Sequence, residues 1–307
     1  MTAIVAIEAA AKRYGRLSAL EDVSLSLTAG EAVALIGHNG AGKTTLMKLV
    51  LGLIRPSAGS VRVLGEDPAG RNGAHARRRL GFLPESVAFH GAMTGAELLD
   101  FYARLKGAPR EANAGLLERV GLGAAAGRRV ATYSKGMCQR LGLAQALIGE
   151  PRLLLLDEPN SGLDPESRTQ VFAAIESLRR QGATILLSTH ALAEVERRVD
   201  RVAILHHGRL LALGSLEDLR RELALALTVR LRVKTCTTEK VVAMTNDYAE
   251  VVERDRNSLC LAVAPADKPR LVHDLGRLHA CLEDLEIETP GLDALYRDLV
   301  GRWEAGR

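Results

Sequence analysis

The sequence predicts an α/β core followed by a smaller α+β domain, and three observations carry that prediction. Short apolar runs alternate with longer helix-periodic segments through the first two thirds of the 307 residues. Two of those runs, Leu153–Leu156 and Thr184–Ser188, read as continuous apolar strands of the kind buried in a parallel sheet. After Gly214 the pattern changes to a strand–helix–strand–strand–helix–strand order with one further helix, a ferredoxin-like arrangement.

In chain order, Ile4–Ile7, Val23–Leu27, Ala32–Ile36 and Val61–Leu64 are expected strands, each bounded by glycine or polar turns. Lys43 to Leu53, Gly95 to Lys106, Lys135 to Ile148 and Pro165 to Arg180 are expected helices. Thr94 with Glu97 has the spacing of a capping box, and Asp164 before Pro165 supplies an N-cap and a pre-set first turn. Beyond Gly214, Thr228–Val233 alternates and a helix follows. Glu250–Arg254 and Ser258–Ala264 are expected to pair. Lys268–His279 and Leu292–Trp303 are expected helices around an extended Leu282–Glu288. The predicted domains are therefore residues 1–214 and 215–307, with a helical subdomain over about residues 86–150 of the first.

Composition narrows the function. The net charge is +4, and arginines such as Arg77, Arg78 and Arg79 sit beside acidic neighbours, as on a solvated helix face; no nucleic-acid partner is expected. The four cysteines, Cys138, Cys236, Cys260 and Cys281, show no C-x-x-C pair and no histidine at ligand spacing, so a reducing cytoplasm is expected and neither a disulfide framework nor a zinc site is. No apolar run approaches the roughly 20 residues of a membrane helix, and the N-terminus lacks a signal-peptide layout.

Gly37 to Thr45, GHNGAGKTT, matches G-x-x-x-x-G-K-[ST] between an expected strand and an expected helix. Gly37, Gly40 and Gly42 let the backbone N–H groups wrap phosphates where a Cβ would obstruct. Lys43 brings a point charge to the β- and γ-phosphates, and the Thr44 hydroxyl is a ligand for Mg²⁺. A glycine-rich turn would also precede a helix, but the strand–loop–helix context makes this a P-loop, with Asn39 and Thr45 completing its nucleotide-binding set. Leu153 to Pro165, LLLLDEPNSGLDP, delivers Asp157 and Glu158 at the carboxyl end of a strand, where α/β sheets bind ligands. Asp157 is expected in the Mg²⁺ shell, and Glu158 is expected to polarise the attacking water. Leu186 to His190, LLSTH, ends a further strand. Alone such a histidine is more often structural, but here it lies downstream of Asp157 and Glu158 and is expected on the same sheet edge, near the γ-phosphate.

The P-loop, then Tyr133–Met137 (YSKGM) before a helix, then D-E-P, G-L-D-P and S-T-H, resembles the ATP-binding subunits of ABC transporters from Ile4 to about Gly214. The resemblance implies a P-loop NTPase of the ABC ATPase kind, with ATP and Mg²⁺ as cofactors. It identifies Tyr133–Met137 with the signature loop, commonly L-S-G-G-Q. In that family two subunits face each other head to tail, so Ser134 and Gly136 would read the γ-phosphate held by the partner. A helix N-terminus at this point suits an anion. By the same resemblance Tyr14 stacks on adenine, Asp164 lies in the loop that communicates between paired sites, and His190 is the switch histidine. Glu85 falls where most members carry a glutamine that touches Mg²⁺ and senses the membrane partner, a departure because an ionised acid accepts but does not donate. Lys135 and Met137 also depart from the commonest signature.

A narrower likeness rests on GHNGAGKTT, LPESVAFH, FYARLKGA, the run from Thr132 to Pro159, and the closing LEIETPGLDALYRDLVG. Together these are similar to ATPase subunits of nitrous oxide reductase maturation transporters, which serve copper-site assembly in denitrification. The partners that likeness implies are a second copy of the chain, an integral-membrane permease and, through the permease, a periplasmic accessory protein. The ATPase would then sit at the cytoplasmic face of the inner membrane, docked through Glu85–Lys106 with Phe89, His90 and Met93. The alternatives are a related exporter ATPase with another substrate, and a soluble ABC ATPase acting on nucleic acid or the ribosome. The zinc modules, long coiled coils and duplicated cassettes of the latter have no counterpart in this sequence. An ordinary P-loop kinase is disfavoured by the signature loop and the D-E pair.

Overall fold

The computed structural model describes residues 3–71, 73–196, 198–234 and 238–306. Contacts divide the chain into two units, one ending at Gly214 and the other beginning at Ser215. Cys236 lies outside the described residues, and Cys138, Cys260 and Cys281 are free thiols.

The first unit opens with strands β1 (Ala3–Tyr14), β2 (Leu17–Thr28), β3 (Ala32–Ile36) and β4 (Ala58–Val63). The first two form a long hairpin, and β4 pairs with the other edge of β1, giving an antiparallel sheet ordered β2-β1-β4. Both hairpin strands run well beyond the apolar runs that signalled them. Register shifts interrupt the β1 ladder around Ala10, where three consecutive alanines carry no strand preference.

The second sheet adds β5 (Leu80–Leu83), β6 (Leu153–Asp157), β7 (Thr184–Thr189), β8 (Arg201–His206) and β9 (Arg209–Gly214). Its order is β5-β6-β7-β3-β8-β9, parallel except for the last strand. Every residue of β3, β6 and β7 is buried, which is why these strands read as continuous apolar runs rather than as alternation. Leu35, Leu46, Met47, Leu49, Leu155, Leu186 and Leu205 share one core cluster, each side chain contributing about 1.5–3 kcal/mol by leaving water.

Helices α1 (Lys43–Val50), α2 (Gly73–Arg78), α3 (Gly95–Lys106), α4 (Asn113–Arg119), α5 (Lys135–Ala146), α6 (Pro165–Arg180) and α7 (Leu192–Val195) complete the unit. The capping box at α3 forms as its spacing predicts: Glu97 N donates to Thr94 Oγ1 at 3.2 Å, and Thr94 N donates to Glu97 Oε2 at 2.8 Å. Asp164 caps α6 by accepting from Ser167 N at 2.9 Å, with Pro165 in the first turn. The structure stops α1 earlier than Leu53, since the chain turns left-handed at Gly52 with φ of 67°. Among the described residues no helix is long and apolar enough to cross a membrane.

The second unit contains α8 (Leu216–Leu223), β10 (Leu227–Val233), α9 (Thr238–Thr245), β11 (Ala249–Arg254), β12 (Ser258–Val263), α10 (Lys268–Gly276), β13 (Leu282–Glu288) and α11 (Leu292–Ala305). Its antiparallel sheet is ordered β11-β12-β10-β13, the interleaving expected of two split βαβ halves. Alternate residues of the central strands, among them Val229, Leu231, Leu259 and Leu261, pack with Val241 of α9 and with Leu271 and Leu275 of α10. The opposite face of β10 carries Arg230, which pairs with Glu288 at 2.7 Å.

Candidate active site

The parallel order brings three strand ends together. Strands β6, β7 and β3 are consecutive neighbours, so the residues following each of them meet at one carboxyl edge. There they line a cleft of about 570 Å³, within the size of small-molecule sites.

Gly37–Gly42 leaves β3 and enters α1. Gly42 is the N-cap with φ of 109°, and no side chain caps the helix, so its first amides remain available to an anion. A Cβ on Gly42 would lie 2.7 Å from Leu20 Cδ2 and 2.8 Å from the Ala19 carbonyl oxygen. One on Gly37 would lie 2.4 Å from the Leu205 carbonyl oxygen. Larger residues would displace the loop at both ends. Lys43 is buried at the foot of this loop, where its Nζ donates to the Gly37 carbonyl at 2.6 Å and to the His38 carbonyl at 3.3 Å.

Opposite Lys43 stands the acidic pair from β6. Thr44 Oγ1 donates to Asp157 Oδ2 at 3.2 Å, and the other carboxylate oxygen accepts from Ser188 Oγ at 2.6 Å. Ser188 Oγ also accepts from Glu158 N at 2.9 Å, which locks the turn out of β6. Glu158 adopts φ of 46°, a left-handed backbone that costs a non-glycine residue about 1–3 kcal/mol and is found where function requires it. Its side chain is buried, with Oε1 3.6 Å from Lys43 Nζ and Oε2 2.8 Å from His190 Nδ1. An all-oxygen donor pair, Thr44 with Asp157, suits a hard cation such as Mg²⁺.

The cleft gathers Tyr14, Asn39, Gly40, Gly42, Lys43, Thr44, Thr45, Glu85, Asp157, Glu158 and His190 from separate stretches of the sequence. Tyr14, 46% exposed, stands at the end of β1 with Lys12 Nζ 5.3 Å from its ring centre. Ser134, Gly136 and Asp164 do not line the cleft. Ser134 is exposed and caps α5, its Oγ accepting from Met137 N at 3.2 Å. Gly136 is buried, and a Cβ there would lie 2.2 Å from Ser167 Oγ, so glycine lets α5 approach α6. Tyr133, just before the cap, donates from its hydroxyl to the Ala125 carbonyl at 2.7 Å, and burial raises its pKa. Asp164 is exposed, and its hydrogen bond from Ser167 holds its carboxyl below the usual range. Ser188, the common partner of Asp157 and Glu158, escapes a reading of local motifs. Its position inside LLSTH gains meaning only from the pairing of Asp157 with Ser188 across β6 and β7.

A family model described as ABC transporter matches residues 20–161, from within β2 to just past Glu158. The linearmycin resistance ATP-binding protein of Bacillus subtilis (strain 168) is 30% identical over 300 residues, 95% of this chain and 96% of its own length. The daunorubicin/doxorubicin resistance ATP-binding protein of Streptomyces peucetius is 33% identical over 298 residues, 94% of this chain and 90% of its own.

The chain belongs to the ABC transporter ATP-binding family. As an ABC transporter ATPase it binds ATP, and its core shares the fold of a solved ATP-binding subunit of an ABC transporter. That structure superposes with a TM-score of 0.65 at 36% identity, over 71% of this chain and 92% of the other. The matches to both resistance relatives span 300 and 298 residues and therefore extend into the second unit of the ABC ATPase as well.

Proposed function

We propose that this ABC ATPase is the motor subunit of a bacterial exporter, working as a head-to-tail pair that closes on two MgATP and drives an integral-membrane permease. The observation that supports it most is the division of the anion-binding machinery. Lys43, Thr44, Asp157, Glu158 and His190 converge on one cleft, while the exposed Ser134 end of α5 does not line it. A second copy supplies what each cleft lacks.

In this reading the loop amides and Lys43 hold the β- and γ-phosphates, Tyr14 stacks on adenine, and Asn39, Gly40, Gly42 and Thr45 shape the pocket. Thr44, Asp157 and Glu85 would hold Mg²⁺, whose chemistry is to neutralise phosphate oxygens as charge builds on them. Glu158 accepts a proton as a water oxygen bonds to the γ-phosphorus and the bond to the ADP oxygen breaks. His190, 2.8 Å from Glu158 Oε2, keeps that carboxylate in line. Ser134 and the Gly136 amide of the facing copy contact the γ-phosphate, and Asp164 relays between the two sites. The permease docks over the surface around α3, where Phe101 and Leu105 are exposed, Phe89 stacks edge-on to Tyr102 at 6.3 Å and His90 is exposed. The complex would sit at the cytoplasmic face of the inner membrane. The drug-resistance names of the full-length relatives favour export of a small organic molecule.

A narrower proposal, copper-site maturation of nitrous oxide reductase, rests on the stretches from GHNGAGKTT to LEIETPGLDALYRDLVG. It predicts a permease and a periplasmic repeat protein in a detergent pull-down; a drug-export permease alone would refute it. The test of the shared mechanism is Glu158→Gln with MgATP, followed by sedimentation. Dimers that dissociate when Ser134→Glu is added, with nucleotide binding retained, are expected; a monomer in both cases overturns the paired motor.

A further inference from the structure

Three imidazoles that the hydrolytic chemistry does not use lie together beside the phosphate loop. His38 is the second residue of that loop, His206 ends β8, and His207 begins the two-residue turn into β9. One nitrogen from each ring can be chosen so that all three lie within 4.8 Å of one another. The rings stand 5.0 Å apart from His38 to either neighbour and 4.4 Å apart between His206 and His207, all tilted or edge-on.

We infer that His38, His206 and His207 form a site for a divalent transition-metal ion of the zinc class, tethering the first turn of the phosphate loop to the β8–β9 turn. The protonation pattern at His38 supports this. Its Nδ1 lies 2.6 Å from the Asn39 carbonyl oxygen, which only accepts, so Nδ1 carries the proton and Nε2 carries the lone pair. That Nε2 is buried and has no hydrogen-bond partner among the described residues. A ring held through Nδ1–H to a backbone carbonyl, with Nε2 free to ligate, is the usual outer-shell arrangement of a metal-binding histidine.

The platform beneath the ligands is already joined. Gly208 N donates to the Ala41 carbonyl at 3.0 Å, and Gly37 packs against the Leu205 carbonyl so closely that a Cβ would not fit. Tetrahedral ligands on a Zn²⁺ ion with bonds near 2.0–2.1 Å stand about 3.3 Å apart, so nitrogens that lie within 4.8 Å of one another must close by up to about 1.5 Å, through side-chain torsions of which the last is soft. His207 is exposed, so its ring lies at the solvent side of the cluster. Three neutral nitrogens with no carboxylate favour zinc, copper, nickel or cobalt over Mg²⁺, so this site and the Thr44–Asp157 site select different ions.

Zn²⁺ alone, titrated calorimetrically into the full chain with Cys138, Cys236, Cys260 and Cys281 replaced by serine and no affinity tag, tests the inference. One equivalent is expected to bind, and His207→Asn is expected to weaken it at least about tenfold. Asparagine accepts the left-handed backbone at this position, where φ is 44°, so the variant should melt at the parent's temperature in metal-free buffer. Co²⁺ in place of Zn²⁺ should show d–d absorption in the parent and lose it in the variant. Absence of binding, or one equivalent that survives His207→Asn, would overturn the site.

Discussion

Two helix N-termini in the first unit show how much a phosphate site needs beyond a helix end. At α1 the N-cap is Gly42, no side chain satisfies the opening amides, and a buried lysine, a threonine and two carboxylates surround the end. At α5 the cap is Ser134, whose hydroxyl already accepts from Met137 N, and the end is exposed. Both present the positive end of a helix dipole. Only the first gathers the charge and the acid–base groups that hydrolysis requires; in the proposed pair the second would act on an anion delivered by the facing copy.

Substitutions separate the two ends. The largest effect is expected for Lys43→Ala, which removes the only charge brought to the phosphates from the loop and leaves Glu158 without its 3.6 Å counter-ion. Hydrolysis should fall by about 10²–10⁴-fold, and fluorescent ATP analogues should no longer bind the monomer. A variant that bound nucleotide normally would dissolve the contrast. Gly136→Ala is expected to act on packing instead, because its Cβ would collide with Ser167. A loss of about 1–3 kcal/mol in urea unfolding is expected, relieved by the companion Ser167→Gly, with monomer nucleotide binding intact.

The smallest effect lies in the second unit, far from either helix end in sequence. Burial, reinforced by a hydrogen bond to Asp274 at 2.8 Å, pushes the Tyr248 phenol up to about 12. A folded pKa above the unfolded value near 10 contributes stability that is complete below pH 10 and lost as pH rises through 12. Tyr248→Phe should therefore flatten the decline of stability over that window, read by urea titration at several pH values. An unchanged slope would show that Tyr248 titrates alike in both states.

Legibility followed locality. The residues around α1 were readable because Gly37, Gly42, Lys43 and Thr44 are contiguous and their spacing carries the mechanism. The antiparallel interleaving of the second unit was readable from the order of its strands and helices. Ser188 was not, since its double role depends on the lateral register of β6 and β7, which no single segment contains. Strand β5 was missed because its four residues, Gly81 among them, are too few to show a period; β8 was missed although Val202–Leu205 is a continuous apolar run, and β9 because it is short and only half-buried. The expectation of no zinc site rests on the cysteines and on histidine spacing to them, so it does not weigh histidines against one another. His38 and His206 meet because β3 and β8 are neighbours in the sheet.

The position of β3 in the sheet has a consequence for how the protein comes into being. Its neighbours on either side, β7 and β8, are made roughly 150 residues after it, and ribosomes add about 5–20 residues per second. The phosphate loop therefore emerges early, yet for roughly ten to thirty seconds it lacks the Asp157, Glu158 and His190 side of its cleft. A nascent chain lacks the complete cleft until almost the whole first unit has left the ribosome. Assembly of the hydrolytic groups thus reports completed folding of the first unit, and a truncated product, however intact its loop, would lack Glu158 and His190 to turn over ATP.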